Sequence, residues 1–139
     1  MKLSKEQLLR HANSVCKDNL METLHIEFID AGEDFITARM PVNKRVHQPD
    51  GVLHGGATAA LAETVGSFAA HIFLDTDNYF VRGIDISAQH IKSVKEGFVY
   101  AKAICIHSGR TTQVFDIKVT NDNKELVSLC KLTTITLPK

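Results

Sequence analysis

The sequence lacks any surplus of charge. Sixteen Lys and Arg balance sixteen Asp and Glu over 139 residues, for a formal net charge of +0 and a pI near 7.0. A protein that grips nucleic acid by neutralising phosphates needs a basic face. That class is not expected here, although a few cations can still hold a small phosphorylated ligand. Cysteine is scarce: three residues, Cys16, Cys105 and Cys130, odd in number, widely spaced and without a CxxC. Neither a zinc ribbon nor a disulfide framework fits, and reduced, mostly buried thiols are expected. No run of about 18 apolar residues occurs, so no membrane span is expected. Met1 to Arg10 carries charge without an apolar segment, so no signal peptide is expected and the cytoplasm is the default address. Repeats, low-complexity tracts and linkers are also missing. A chain of this length with 44% hydrophobic residues fits a single domain over 1–139.

What the sequence does have is a run of small residues around one acid, from His54 through Gly55, Gly56, Ala57, Ala59, Ala60, Ala62 and Glu63 to Gly66 and Ser67. It reads as a helix over about 54–71. Glycine costs about 1 kcal/mol relative to alanine in a helix interior, so glycines there point to close packing. A helix this smooth is expected to be wrapped tightly by a sheet. A lone Glu63 in that setting needs a partner, solvation in a cavity, or a function.

The rest of the chain supplies the sheet. Ser4 and Gln7 form a capping-box pattern, followed by apolar residues at helical spacing. This predicts an N-terminal helix over about 5–17 within a leading segment of 1–19, with 19–23 as a connection. Strands are expected at 24–29 and 34–40 around an Asp30–Glu33 turn, and a loop over 41–53 contains the turn signal Pro49-Asp50-Gly51. Four more strands are expected at 79–90, 98–107, 111–121 and 126–137, joined by short links that imply antiparallel neighbours. One long helix and about six antiparallel strands must share a core, which predicts an α+β fold with a curved sheet around the helix. Its exposed edges invite pairing between chains.

This arrangement resembles the hotdog-fold acyl-CoA thioesterases of the PaaI-like branch. The residues that carry the resemblance are Gln48-Pro49-Asp50-Gly51-Val52-Leu53-His54-Gly55-Gly56, then Leu61-Ala62-Glu63-Thr64-Val65-Gly66-Ser67. Gln89 to Gly97 and His107-Ser108-Gly109-Arg110 support it. Two groups in the branch are most similar. One hydrolyses 1,4-dihydroxy-2-naphthoyl-CoA in menaquinone biosynthesis; the other proofreads aryl carrier proteins in enterobactin assembly. Asp50 stands where the family often has Phe, and Gln89 where it usually has Asn or His. The resemblance implies a hydrolase with acyl-CoA as substrate and coenzyme A as part of it, no separate cofactor, and acyl or aryl carrier protein as an alternative partner. It also implies a homodimer with a shared active site, paired into a homotetramer.

Thioester hydrolysis needs an oxyanion donor and a group that activates water or attacks the carbonyl. Gly55 lies at the predicted helix N-terminus, where N–H groups are unpaired and the dipole is positive. Glu63 is the candidate base or nucleophile. It lies two turns further on, about 12 Å along the axis, too far to share one carbonyl with Gly55 of its own chain. Two antiparallel helices across a dimer would bring them together. Ser67, at i+4 from Glu63, can orient the carboxylate or the attacking water, or bond back to its own helix; Thr64 is read as facing elsewhere. By resemblance Gln48 binds or polarises near the thioester, and His54 positions it. His90 faces either the acyl pocket or the pantetheine arm. Arg82 and Arg110, with the Ser108-Gly109 turn, are candidates for the coenzyme A phosphates. Val52, Leu53, Phe68, Ile72 and Val81 are candidate pocket walls. His11, His25, His47, His71 and His107 show no ligand spacing, so no metal is expected. A non-catalytic acyl-CoA or carrier-protein binding module on the same fold is the alternative reading; a structural dimer and a hotdog dehydratase are further ones.

Overall fold

A computed structural model describes residues 3–139. Its centre is the small-residue helix. We number the elements in chain order: α1 (Lys5–Ser14), α2 (Leu20–Thr23), β1 (Glu27–Ala31), β2 (Phe35–Val42), a short 3-10 turn (Lys44–Val46), α3 (Gly55–Phe73), β3 (Tyr79–His90), β4 (Gly97–Ser108), β5 (Thr112–Thr120) and β6 (Leu126–Pro138). The strands form one antiparallel six-stranded sheet in the order β1-β2-β4-β5-β6-β3. Helix α3 packs against β2, β3, β4, β5 and β6, so the sheet folds round it as expected.

Small side chains permit that wrap. Leu61, Ala62, Val65, Ala69 and Ala70 of α3 are fully buried. Gly66 marks the closest approach: a methyl built there would lie 2.8 Å from Leu132 Cδ2 and 3.2 Å from Ile117 Cδ1. The opposing layer comes from Phe115, Ile117 and Val119 on β5 and from Cys130 and Leu132 on β6, all fully buried. Strand β2 alternates along its whole length, with Ile36, Ala38, Met40 and Val42 inward.

The structure moves several boundaries. Helix α1 stops at Ser14 rather than Lys17, because Val15 is its C-cap and Asp18 turns the chain at φ 58°. The connection after it contains the one-turn helix α2. Strand β1 starts at Glu27 rather than Leu24, since Leu24 caps α2 and His25 is left-handed at φ 56°. It also runs on to Ala31, which leaves a tighter hairpin closed by Gly32 N–H donating to Phe35 O at 2.9 Å. Pro41 lies inside β2 rather than in a loop. Strand β1 pairs no further along β2 than Arg39, so the missing proline N–H has no ladder bond to fill on that side. The helix α3 itself begins at Gly55, with His54 as N-cap, and extends to Phe73.

Edge strand β3 pairs only with β6. Of its 12 residues only Val81 is buried, and Tyr79, Phe80 and Ile84 expose large apolar side chains. No helix among the described residues is long and apolar enough to cross a membrane.

The seat of α3 gives a stability prediction. Gly66→Val pushes a branched side chain into Leu132 and Ile117, which are fully buried. Urea unfolding should show a loss of about 1–3 kcal/mol. An unchanged midpoint would mean that the sheet can retreat from the helix.

Candidate active site

The approach to α3 is built locally. After β2, Asn43 caps the 3-10 turn through Arg45 N–H at 3.0 Å. Gln48 and Val52 then close a tight turn, with Gln48 N–H donating to Val52 O at 2.8 Å and Gly51 N–H to Gln48 O at 3.0 Å. Gly51 takes φ 83°, the left-handed conformation that glycine adopts without cost. His47 Nε2–H donates to Lys95 O at 2.8 Å and Leu53 N–H to Val94 O at 2.8 Å, which ties the loop to the segment after β3. His54 N–H donates to Val46 O at 2.8 Å. The turn therefore has little freedom, and it delivers Gln48 beside the start of α3.

Two hydrogen-bonding facts define the helix N-terminus. His54 Nδ1 accepts from Gly56 N–H at 2.7 Å, so the imidazole is the N-cap of α3. Nδ1 is thus without hydrogen, and the neutral ring carries its proton on Nε2. Gly55 N–H has no protein acceptor among the described residues. An open donor at the positive end of a 19-residue helix suits a developing negative charge. Gly55 also lies against His90: a methyl on it would be 2.7 Å from His90 Nε2 and 2.9 Å from Cδ2. His90 is the last residue of β3, and its Nδ1 lies 3.1 Å from Ser128 Oγ on β6.

These groups meet in a cavity of about 220 Å³ lined by Gln48, Gly55, Thr58, His90, Lys92 and Val127, among others. Three of the residues expected at the site, Gln48, Gly55 and His90, therefore come together within one chain. Val52 and Leu53 line the same cavity.

Glu63 and Ser67 open elsewhere, into a much larger cleft of about 1370 Å³ between α3, α1 and β1. Its walls include Leu8, Val15, Met21, Phe28, Phe68 and Ile72. The Phe28 and Phe68 rings meet at a tilt of 42°, with centroids 4.8 Å apart. Glu63 is exposed rather than enclosed, because the sheet covers only one side of α3 and Glu63 lies on the other. Its carboxylate leans toward the edge strand, with Oε2 3.7 Å from where a Gly83 methyl would sit, beside the β3 bulge at Gly83/Asp85. Thr64 is a correction: it lines the same cleft as Glu63 and Ser67, and its hydroxyl bonds back to Ala60 O at 2.7 Å. Ser67 Oγ makes no such bond among the described residues. Val81 lines neither cavity; it is buried in the core.

The cationic candidates lie at the opposite end of the sheet from Gly55. Arg82 on β3 donates Nη1–H to Val81 O at 3.0 Å and lies 5.1 Å from the Phe80 ring. Ser108, Gly109 and Arg110 form the β4–β5 turn, and Thr136 on β6 ties that turn to the β3 end through Arg110 O at 3.2 Å. Arg82 and Arg110 thus share one end of the molecule, away from the small cavity of their own chain. The cysteines are free; Cys16 and Cys130 are buried and Cys105 half-buried. Burial pushes all three thiols up, away from the thiolate form.

Sequence reasoning missed Thr58, Thr64 and Ser128. Thr58 is one turn from His54 and buried in the small cavity, and the helical pattern alone could have found it. Ser128 reaches His90 only through the β3–β6 pairing, for which a single sequence carries no signal.

A helix cradled in an antiparallel sheet, with a bare glycine N–H at its start, offers the oxyanion donor that thioester hydrolysis needs. The chain belongs to the thioesterase superfamily, whose family model matches residues 50–128, and its fold is the hotdog fold. A crystal structure of a mutant thioesterase from Pseudomonas aeruginosa superposes with a TM-score of 0.91 at 37% identity and covers 94% of each chain. The proofreading thioesterase EntH of Cronobacter turicensis is 39% identical over 126 residues, 91% of each chain. The 1,4-dihydroxy-2-naphthoyl-CoA hydrolase of Escherichia coli is 36% identical over 129 residues, 93% of this chain and 94% of that one.

The proximity of Gly55 to His90 is directly testable. Gly55→Ala forces the His90 ring aside. It should lower kcat/KM for thioester hydrolysis by about a hundred-fold, with Tm within a few degrees of wild type by circular dichroism. Wild-type kinetics in this variant would remove Gly55 from the site.

Proposed function

We propose that this chain hydrolyses acyl-CoA thioesters of aryl type, such as 1,4-dihydroxy-2-naphthoyl-CoA, in the cytoplasm. The single observation behind the oxyanion role is the open Gly55 N–H at the head of α3, beside Gln48 and His90. The thioester carbonyl oxygen accepts from that N–H, with Gln48 alongside and His54, the N-cap of α3, positioning it. Glu63 acts in one of two ways. As general base it takes a proton from water while the water oxygen bonds to the carbonyl carbon. The tetrahedral adduct then expels the coenzyme A thiolate, which recovers the proton. As nucleophile its carboxylate displaces the thiolate to give a mixed anhydride, which water then cleaves to the free acid. Ser67, on the same helix face, holds the carboxylate or the water. Coenzyme A enters as part of the substrate, and no separate cofactor is required.

Glu63 and Gly55 open into different cavities of one chain. The site is therefore read as shared, with Glu63 of one protomer meeting Gly55 of its partner. The long apolar free edge of β3 supports a two-fold pairing there, since such an edge left bare is an aggregation hazard. Antiparallel helices across that axis also bring the Arg82 and Arg110 end of one chain toward the small cavity of the other, where they suit the coenzyme A phosphates with Ser108 and Gly109. Two such dimers pair as a tetramer. The aryl preference is supported by the name of the Escherichia coli relative and by the aromatic walls of the large cleft. A thioester on an acyl or aryl carrier protein presents the same reacting group, and menaquinone biosynthesis is the corresponding role.

Thiol release measured across 1,4-dihydroxy-2-naphthoyl-, benzoyl-, phenylacetyl-, hexanoyl- and palmitoyl-CoA should show kcat/KM highest for the first by about ten-fold. A palmitoyl preference would overturn the aryl assignment. Glu63→Ala and Glu63→Gln should lose about 10²–10⁴ in kcat. If both retain wild-type hydrolysis, Glu63 has no chemical role. Co-expression of Glu63→Ala chains with Gly55→Val chains should restore roughly a quarter of wild-type activity through mixed dimers with one intact site. No restoration, with mixed dimers shown to form, would place each site within a single chain.

A further inference from the structure

One buried hydroxyl touches the small cavity from behind. Ser128 on β6 is 0% exposed and pairs in register with His90 on β3. Its Oγ lies 3.0 Å from Gln89 O, 3.1 Å from His90 Nδ1 and 3.4 Å from Cys130 Sγ. A serine hydroxyl has one hydrogen and can accept two. The Gln89 carbonyl can only accept, so it takes that hydrogen. The imidazole Nδ1 and the thiol must then supply hydrogens to Oγ. The thiol can do so, because burial keeps Cys130 protonated. All three bonds are then satisfied around a fully buried hydroxyl, where an unmatched polar atom is costly.

The consequence falls on the other ring nitrogen. With the proton on Nδ1, the neutral His90 leaves Nε2 as a bare lone pair. That is the atom lying against Gly55. His54, across the helix start, is in the opposite state, since its Nδ1 accepts from Gly56 N–H. The cavity then holds one donor, the Gly55 N–H, and one acceptor, His90 Nε2.

We propose that Ser128 is a positioning residue that holds His90 in the Nδ1–H tautomer, so that Nε2 accepts a hydrogen bond from an amide N–H of the substrate's thiol arm. The proposal rests on reading the Gly55 cavity as the thioester site. A carbonyl oxygen bound to the Gly55 N–H would meet only repulsion from a bare Nε2, so the acceptor is matched to a donor on the substrate. The amide-bearing arm of coenzyme A supplies one, next to the reacting group. His90 thereby binds the arm instead of stabilising the oxyanion, and Ser128 acts through it.

The first test needs no variant. Long-range ¹H–¹⁵N correlation spectra of the intact protein, at a pH where the imidazole is neutral, should show His90 protonated on Nδ1. A His90 found as the Nε2–H tautomer overturns the proposal. Ser128→Ala should shift His90 toward Nε2–H and raise KM for the acyl-CoA by about five-fold, with kcat within about two-fold of wild type. Ser128→Thr keeps the hydroxyl and should keep the wild-type tautomer and KM. An Ala variant with unchanged tautomer and KM overturns the role of Ser128. A fall in kcat at constant KM overturns the assignment of His90 to the arm. The tautomer is read without any substrate, so its outcome is independent of whether Glu63 performs the hydrolysis.

Discussion

The structure depends on how closely helix α3 can lie against its sheet. Gly66 sits so near Leu132 and Ile117 that no side chain fits between them, and Ala62, Ala69 and Ala70 leave the rest of that helix face flat and fully buried. Apolar burial stabilises the arrangement at roughly 25 cal/mol per Å², and it also fixes the axis of α3. With that axis set, the N-terminus of the helix falls under His90 at one end of β3, and Glu63 falls beside the bulge at Gly83. Both candidate reacting groups owe their places to packing that involves neither of them.

The wrap is one-sided, and this accounts for the division of the site. The sheet covers the face of α3 that carries Leu61, Val65 and Gly66, while Glu63, Thr64 and Ser67 look out into the cleft bounded by α1 and β1. An acid among glycines and alanines reads as an enclosed acid, yet in the single chain Glu63 is exposed. The free edge of β3 runs past this region with Tyr79, Phe80 and Ile84 uncovered. An open carboxylate and an unpaired strand edge thus lie on the same side of the molecule.

The site was legible where local geometry makes it. The Gln48–Val52 turn follows from Pro49, Asp50 and a left-handed Gly51, and Gly55 as the first residue of α3 follows from the end of that turn. The strands from Tyr79 onward lie within a residue or so of their expected limits, because alternation and short polar links mark them. Reading failed where distant contacts outweigh local pattern. Pro41 looked like the start of a loop but continues β2, since β1 ends before reaching it. Thr64 shares the cleft with Glu63 despite being adjacent in sequence, because the unwrapped face is broader than one helical stripe. Val81 looked like a pocket wall and is core.

The sequence by itself determined the elements, their antiparallel links and the small-residue helix, because each follows from periodicity, turn chemistry and steric size over a few residues. It also marked Gly55 and Glu63 and kept them about two turns apart, since helical rise is fixed. Only the tertiary structure decided that His90 lies over Gly55, that Ser128 stands behind it, and that Glu63 opens away from both. Those relations join β3 to β6 and α3 across dozens of residues. They are set by sheet order and by the depth to which the helix sinks, which no local stretch of sequence encodes.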